Sequence, residues 1–106
     1  MATTITRTDQ FITITGIDAD VLPGTLSRGS DQSLKIKRIE FVAGNANDKI
    51  VIKQGTDTGA TICQLGSSQA SEPDRIDFGD GCRCKPYIDL SDCTLNNNHK
   101  LNIELA

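Results

Sequence analysis

The sequence predicts an all-β protein, an antiparallel two-sheet β-sandwich of jelly-roll type with seven or eight short strands. Three observations carry this reading. First, apolar and polar residues alternate in Lys35-Ile36-Lys37, Ile50-Val51-Ile52-Lys53, Arg75-Ile76-Asp77-Phe78, Lys85 to Leu90 and Lys100 to Leu105. A strand with one buried and one wet face requires that period of two, because successive side chains point to opposite sides. Second, no helical repeat of useful length competes with it. Third, turn-forming residues recur every 8 to 12 residues or so, the spacing of a sandwich or barrel, and two layers bury every apolar face in a chain this small. The 106 residues form one domain over 1–106, and a chain of that size buries about 65% of its unfolded surface. With no Trp, one Tyr and three Phe, the core must be built from Ile, Leu and Val.

Taken in order, the Thr-rich N-terminal segment (1–15) supplies one or two strands, broken near Asp9-Gln10, since Thr and Ile suit the pleated backbone. Gly16 to Ser33 contains Pro23-Gly24, Gly29 and several Asp and Ser residues. That composition makes a long loop (16–33), and loops beyond about 12 to 15 residues are often functional. Leu34–Val42 and Lys49–Gln54 flank the turn-like run Ala43 to Asp48, which reads as a β-hairpin. Leu34 and Ile36 share one parity and Ile39 and Phe41 the other, so a β-bulge is expected near Lys37-Arg38. Gly55 to Gly59 turns into Ala60–Leu65, and the polar loop Gly66 to Asp74 leads into Arg75–Phe78. Gly79-Asp80-Gly81 turns into a strand from Cys82 to Leu90, whose Pro86 places it at a sheet edge or kinks it. Ser91 to His99 connects to a final strand with Leu101, Ile103 and Leu105 on its inner face. The expected core is Ile36, Ile39, Phe41, Ile50, Ile52, Ile62, Ile76, Phe78, Ile88, Leu90, Leu101 and Ile103.

The side chains offer little chemistry. A formal charge of -3 gives no general attraction to nucleic acid or to an anionic membrane. No stretch approaches the roughly 20 apolar residues of a membrane helix. The first seven residues lack the features of a secretory signal, so the expectation is synthesis and retention in a cytoplasm. His99, the only histidine, lies in the polar run Asn96 to Lys100 and reads as an exposed loop residue. In an extended segment Cys82 and Cys84 fall on the same face as Ile88 and Leu90, which makes them buried free thiols. A disulfide involving Cys63 or Cys93 and a metal site are the alternatives, although the cysteine spacing lacks the paired knuckles of structural zinc. Asp18-Ala19-Asp20 and Asp74 to Asp80 are acidic loop clusters without calcium-loop spacing, so no cofactor or metal is expected. On the proposed hairpin, Lys35, Lys37, Arg38, Lys49 and Lys53 would form a basic patch, with Arg38 close to Lys53.

The runs Ile36 to Gly44, Asp48 to Lys53, Gly59 to Ile62 and Lys85 to Leu90 followed by Cys93-Thr94 resemble small β-sandwich proteins encoded among tailed-bacteriophage structural genes. The resemblance covers roughly Leu34 to Leu105. It implies a virion structural protein, a capsid decoration (cement) protein that binds the major capsid protein on the outer capsid surface and braces the particle. Such proteins are often trimers, and the family supplies no catalytic residues. A jelly-roll module of a phage tail or fibre, recognising a host receptor or glycan, is the second expectation. Partner contacts are expected from Thr3, Thr4, Arg7, Asp18, Asp20, Arg28, Lys35, Lys37, Arg38 and Lys53, with Ala2 to Gln10 and the 16–33 loop free to order on binding.

Overall fold

In the computed structural model, which describes residues 2–27 and 31–106, the chain is 52% strand and 7% helix. The strands are β1 (Thr4–Arg7), β2 (Phe11–Thr15), β3 (Leu34–Val42), β4 (Lys49–Gln54), β5 (Thr61–Gly66), β6 (Pro73–Cys84), β7 (Pro86–Ile88) and β8 (Lys100–Leu105). A four-residue helix, α1 (Pro23–Leu26), and a 3-10 turn at Leu90–Asp92 are the helical elements among the described residues. Two antiparallel sheets pack face to face: a five-stranded sheet in the order β1-β2-β8-β3-β6 and a three-stranded sheet in the order β5-β4-β7. This is the expected two-sheet sandwich; a jelly-roll order does not follow from it.

Period-two patterning explains the core. Ile12 and Ile14 of β2, Ile36, Ile39 and Phe41 of β3, and Leu101 and Ile103 of β8 are fully buried from one side. Ile50 and Ile52 of β4 and Ile88 of β7 meet them from the other, with Cys63 and Leu65 of β5. The β3 bulge falls where the change of parity places it. Lys37 is the extra residue between the pairs Ile36↔Leu105 and Arg38↔Glu104, so that Ile36 and Ile39 both face inward. A second bulge, unforeseen, lies on β5. Ile52 pairs with Cys63 but Lys53 pairs with Thr61, so Ile62 is the unpaired residue and is half-buried instead of core. Ile76 and Phe78 are half-buried because β6 is an edge strand, and Leu90 because it sits in the 3-10 turn.

Three connections differ from expectation. β3 and β4 do not form a hairpin: β3 pairs with β6 and β8, whereas β4 pairs with β5 and β7 in the opposite sheet. Each strand needs only one buried face, so the same alternation and polar linker serve an arch between sheets as well as a hairpin. Gly44 is required in this arch, because a Cβ there would lie 2.1 Å from the Asn97 carbonyl oxygen. Gly79-Asp80-Gly81 does not reverse the chain. β6 runs through it, with the four residues Phe78 to Gly81 extruded opposite Lys37 alone, between the pairs Arg38↔Asp77 and Ile36↔Cys82. Gly79 and Gly81, at φ 65° and 121°, supply the left-handed backbone this extrusion needs. Finally, the expected strand from Cys82 to Leu90 is split at Lys85, where the chain crosses from β6 in one sheet to β7 in the other. Pro86 does open an edge strand, β7.

Residues 16–27 are not a loop free of the core. Val21 exchanges both backbone hydrogen bonds with Ile88, at 3.0 and 2.9 Å, and so covers the outer edge of β7. Ile17, Val21, Pro23 and Leu26 are buried.

Candidate functional site

The basic residues expected to form one patch are divided between the two sheets, and Lys37, Arg38 and Lys53 are paired with carboxylates where they stand. On the outer face of the five-stranded sheet, Arg38 Nε lies 2.5 Å from Asp77 Oδ1 and its Nη1 3.8 Å from Glu104; Lys37 Nζ is 3.7 Å from Glu104. The hydrogen bond from Arg38 holds the Asp77 carboxyl below its usual range. Lys53 belongs to the other sheet. Its ammonium contacts Asp92, lies 3.2 Å from Asp89 Oδ2 and donates to the Asp57 carbonyl at 2.8 Å. The bond to Asp92 is the largest influence raising its pKa. Arg38 and Lys53 therefore do not face each other, because the hairpin that would have joined them is an arch. Lys35 is exposed near the C-terminus, its carbonyl accepting from the Ala106 N–H at 2.9 Å.

The N-terminal candidates hold the fold together. Thr3 donates through its N–H and hydroxyl to Asp18 Oδ1, at 3.3 and 2.7 Å, and the Asp18 N–H donates back to Thr3 Oγ1 at 3.0 Å. Arg7 Nη1 donates to the Leu26 carbonyl, tying β1 to the end of α1. Asp20 accepts from the Tyr87 hydroxyl at 2.6 Å and from the Leu90 N–H at 2.9 Å, and its carboxylate pushes the tyrosine up to about 12. Thr4 is exposed, with its hydroxyl 3.3 Å from the Ala2 carbonyl. Arg28 lies outside the described residues. Residues 2–10 and 16–27 are thus ordered within the chain itself, and do not wait for a partner to order them as expected. β1 is laddered to β2, and the following segment is clasped at Asp18, Asp20 and Val21.

The best-built polar cluster is one the sequence reading missed. Asp48, 1% exposed, accepts from the N–H groups of Gly44 and Asn45, both at 3.0 Å, from the Asn96 N–H at 3.1 Å and from Asn96 Nδ2 at 2.6 Å. Burial alone would raise its pKa, but these donors together hold the carboxyl below its usual range. Beside it, His99 is also 1% exposed, which corrects its reading as a surface residue. Its Nδ1 lies 2.6 Å from the Asn96 carbonyl and Nε2 accepts from the Ile17 N–H at 3.0 Å. Only the Nδ1–H tautomer satisfies both contacts. With each ring nitrogen committed to backbone, His99 is a strut between connections, with no free atom for acid–base work.

All four cysteines are free thiols. Cys63 and Cys84 are buried, and burial pushes their thiols up to about 12 and 11. Cys82, expected beside Cys84 on the apolar face, is only half-buried. Cys93 fills a gap in the ladder of β4 between the pairs Ile52↔Ile88 and Lys49↔Thr94. Its sulfur accepts from the Val51 N–H at 3.3 Å and donates to the Asp89 carbonyl at the same distance. No described cluster of three or more His, Cys, Asp or Glu could hold a metal ion. Thiol titration of the native protein is expected to show slow reaction at Cys63 and Cys84, and four thiols in denatured, unreduced protein; a lower count would show a disulfide.

Two surface features remain. On the outer face of the five-stranded sheet Phe11 is 47% exposed, in a depression of about 230 Å³ shared with Arg38, Glu40, Arg75, Asn102 and Glu104. On the outer face of the three-stranded sheet a polar groove of about 420 Å³ is lined by Lys49, Thr61, Gln64, Ser91, Asp92 and Thr94, among others. No family model, curated protein or solved structure matches this chain. No described helix is long and apolar enough to cross a membrane.

Proposed function

We propose that this chain is a virion structural protein, a capsid decoration (cement) protein that binds the major capsid protein on the outer capsid surface. The observation that carries the reading is the Phe11 face. It is an exposed aromatic ring on a rigid antiparallel sheet, ringed by Arg38, Arg75 and two carboxylates. Interfaces are anchored by aromatic and arginine side chains of this kind, with charged neighbours fixing orientation. The commitment of Asp48, His99 and Cys93 to backbone hydrogen bonds favours a structural role over catalysis. The intramolecular pairing of Arg38 with Asp77 and of Lys53 with Asp89 argues against a nucleic-acid surface. Capsid local threefolds offer three equivalent sites, so a trimeric set is the favoured bound arrangement.

Mixing the purified protein with undecorated capsids is expected to give saturable binding and more stable particles. The Phe11→Ala variant should bind at least about tenfold more weakly, the loss of an interface anchor, with its thermal melt unchanged. If the protein ignores capsids but binds host-cell glycans or receptor, the tail-module reading takes its place; the polar groove over the three-stranded sheet is the surface suited to such a ligand.

A further inference from the structure

We propose that the free edge of β6 pairs with the same edge of a second copy of this chain, antiparallel and about a twofold axis at Ile76. β6 closes one side of the five-stranded sheet. Among the described residues no backbone hydrogen bond outside its ladder with β3 reaches Pro73 to Phe78. An open edge of this kind is a template for another strand unless the protein shields it. The other edge strand leading from it, β7, is shielded by Val21. On the inner side Ile76 is half-buried while its β3 partner Ile39 is fully buried, and Phe78 is half-buried too, so the core row stops short at this edge.

Charge selects the occupant. The ladders set Glu40 beside Arg75, Arg38 beside Asp77, and Glu104 beside Arg38. Antiparallel pairing centred on Ile76 places Arg75 of each copy opposite Asp77 of the other. The sign then alternates across the seam: Glu104, Arg38 and Asp77 of one copy continue into Arg75 and Glu40 of the second. Opposite charges directly across a strand pair stabilise it and like charges oppose it. Moving the axis one residue either way sets Arg75 against Arg75 or Asp77 against Asp77, so the pattern fixes the register as well as the partner. The extrusion at Phe78 to Gly81 stops the seam from lengthening. An isologous contact closes at two copies, giving a continuous sheet across the dimer. So short a seam makes a weak interface. The inference concerns the free protein and does not rest on the capsid reading.

Sedimentation of the full chain, from about 1 µM to about 500 µM to bracket a weak interface, is expected to show a monomer–dimer equilibrium. Arg75→Asp presents two carboxylates to its own copy and Asp77→Arg presents two guanidinium groups. Each variant alone should dimerise at least about tenfold more weakly than the original, whereas their equimolar mixture should recover dimers, because opposite signs again face each other. Circular dichroism and thermal melts establish that each variant is folded. Should Asp77→Arg unfold through repulsion from Arg38, Arg75→Asp alone decides. Dimers of undiminished strength in that variant overturn the proposal. So do a protein that stays monomeric throughout, one that forms trimers in solution, or a mixture of folded variants no stronger than its components. No capsid enters the experiment, so its failure leaves the capsid reading standing.

Discussion

Replacing Asp48 with alanine is expected to destabilise the protein by about 3 kcal/mol or more, from the donors it leaves without an acceptor in a buried setting. The carboxylate gathers the N–H groups of Gly44, Asn45 and Asn96 and the Asn96 amide. It thereby locks the arch from β3 to β4 against the connection into β8. That arch carries the chain from one sheet to the other, so its loss loosens the sandwich as a whole. Asp48→Asn keeps the size but turns an amide N–H₂ toward donors, and is expected to recover only part of the loss. Chemical denaturation, read as a change in midpoint at constant slope, measures both.

The same residue sets an acid limb. Its folded pKa lies below the ordinary value, so the ionised form is favoured in the native state. The stability it contributes is complete above the unfolded value, about 3.9. It is lost as pH falls through the lower folded value. Asp77, also lowered, acts in the same direction but at the surface, where screening leaves it little weight. The buried Asp89, lowered chiefly by its hydrogen bond from Ser91, adds to the same limb. The acid limb of stability should therefore be shallower in Asp48→Asn than in the original protein.

How much of this was legible in the sequence depends on what the period-two rule was applied to. Where it was followed through apolar residues it placed the strands, the β3 bulge and most of the core. It was not carried one step past them. Positions 48, 50 and 52 share a face, as do 99, 101 and 103. Since Ile50, Ile52, Leu101 and Ile103 point inward, Asp48 and His99 were already placed inside. Polarity does not imply exposure, because a polar group with enough partners can be buried. Ile12 and Ile14 show the same limit, since their Thr-rich surroundings mask an alternation as regular as that of β8. The arch, the Cys93 insertion and the joining of 16–27 to β7 were not legible at all. Each depends on which strands become neighbours, and alternation sets a strand's face without naming its partner. The expected closeness of Arg38 and Lys53 fails on the same point, because it needs a β3–β4 pairing that the chain does not adopt.

Truncating Phe41 to alanine is expected to cost about 3 to 5 kcal/mol, the range for a fully buried phenylalanine. Phe41 is completely buried on the interior strand β3, paired with Leu101 on one side, and its ring lies 6.5 Å from the His99 imidazole between centroids. With no Trp and three Phe in the chain, it is the largest of the fully buried side chains, and aliphatic neighbours held by two sheets cannot close over the void. A chain of this size loses about 4 to 8 °C of Tm per kcal/mol, so the variant should melt at least about 12 °C lower. Phe78→Ala removes the same atoms from the β6 edge, where the ring is only half-buried. Its cost should be about half as large, because a side chain that never left water fully has less transfer free energy to lose. Parallel melts of the two variants at low protein concentration separate the cases. Equal losses would mean that the β6 edge is covered in the monomer itself, and would contradict both the edge position of Phe78 and the open seam inferred beside it.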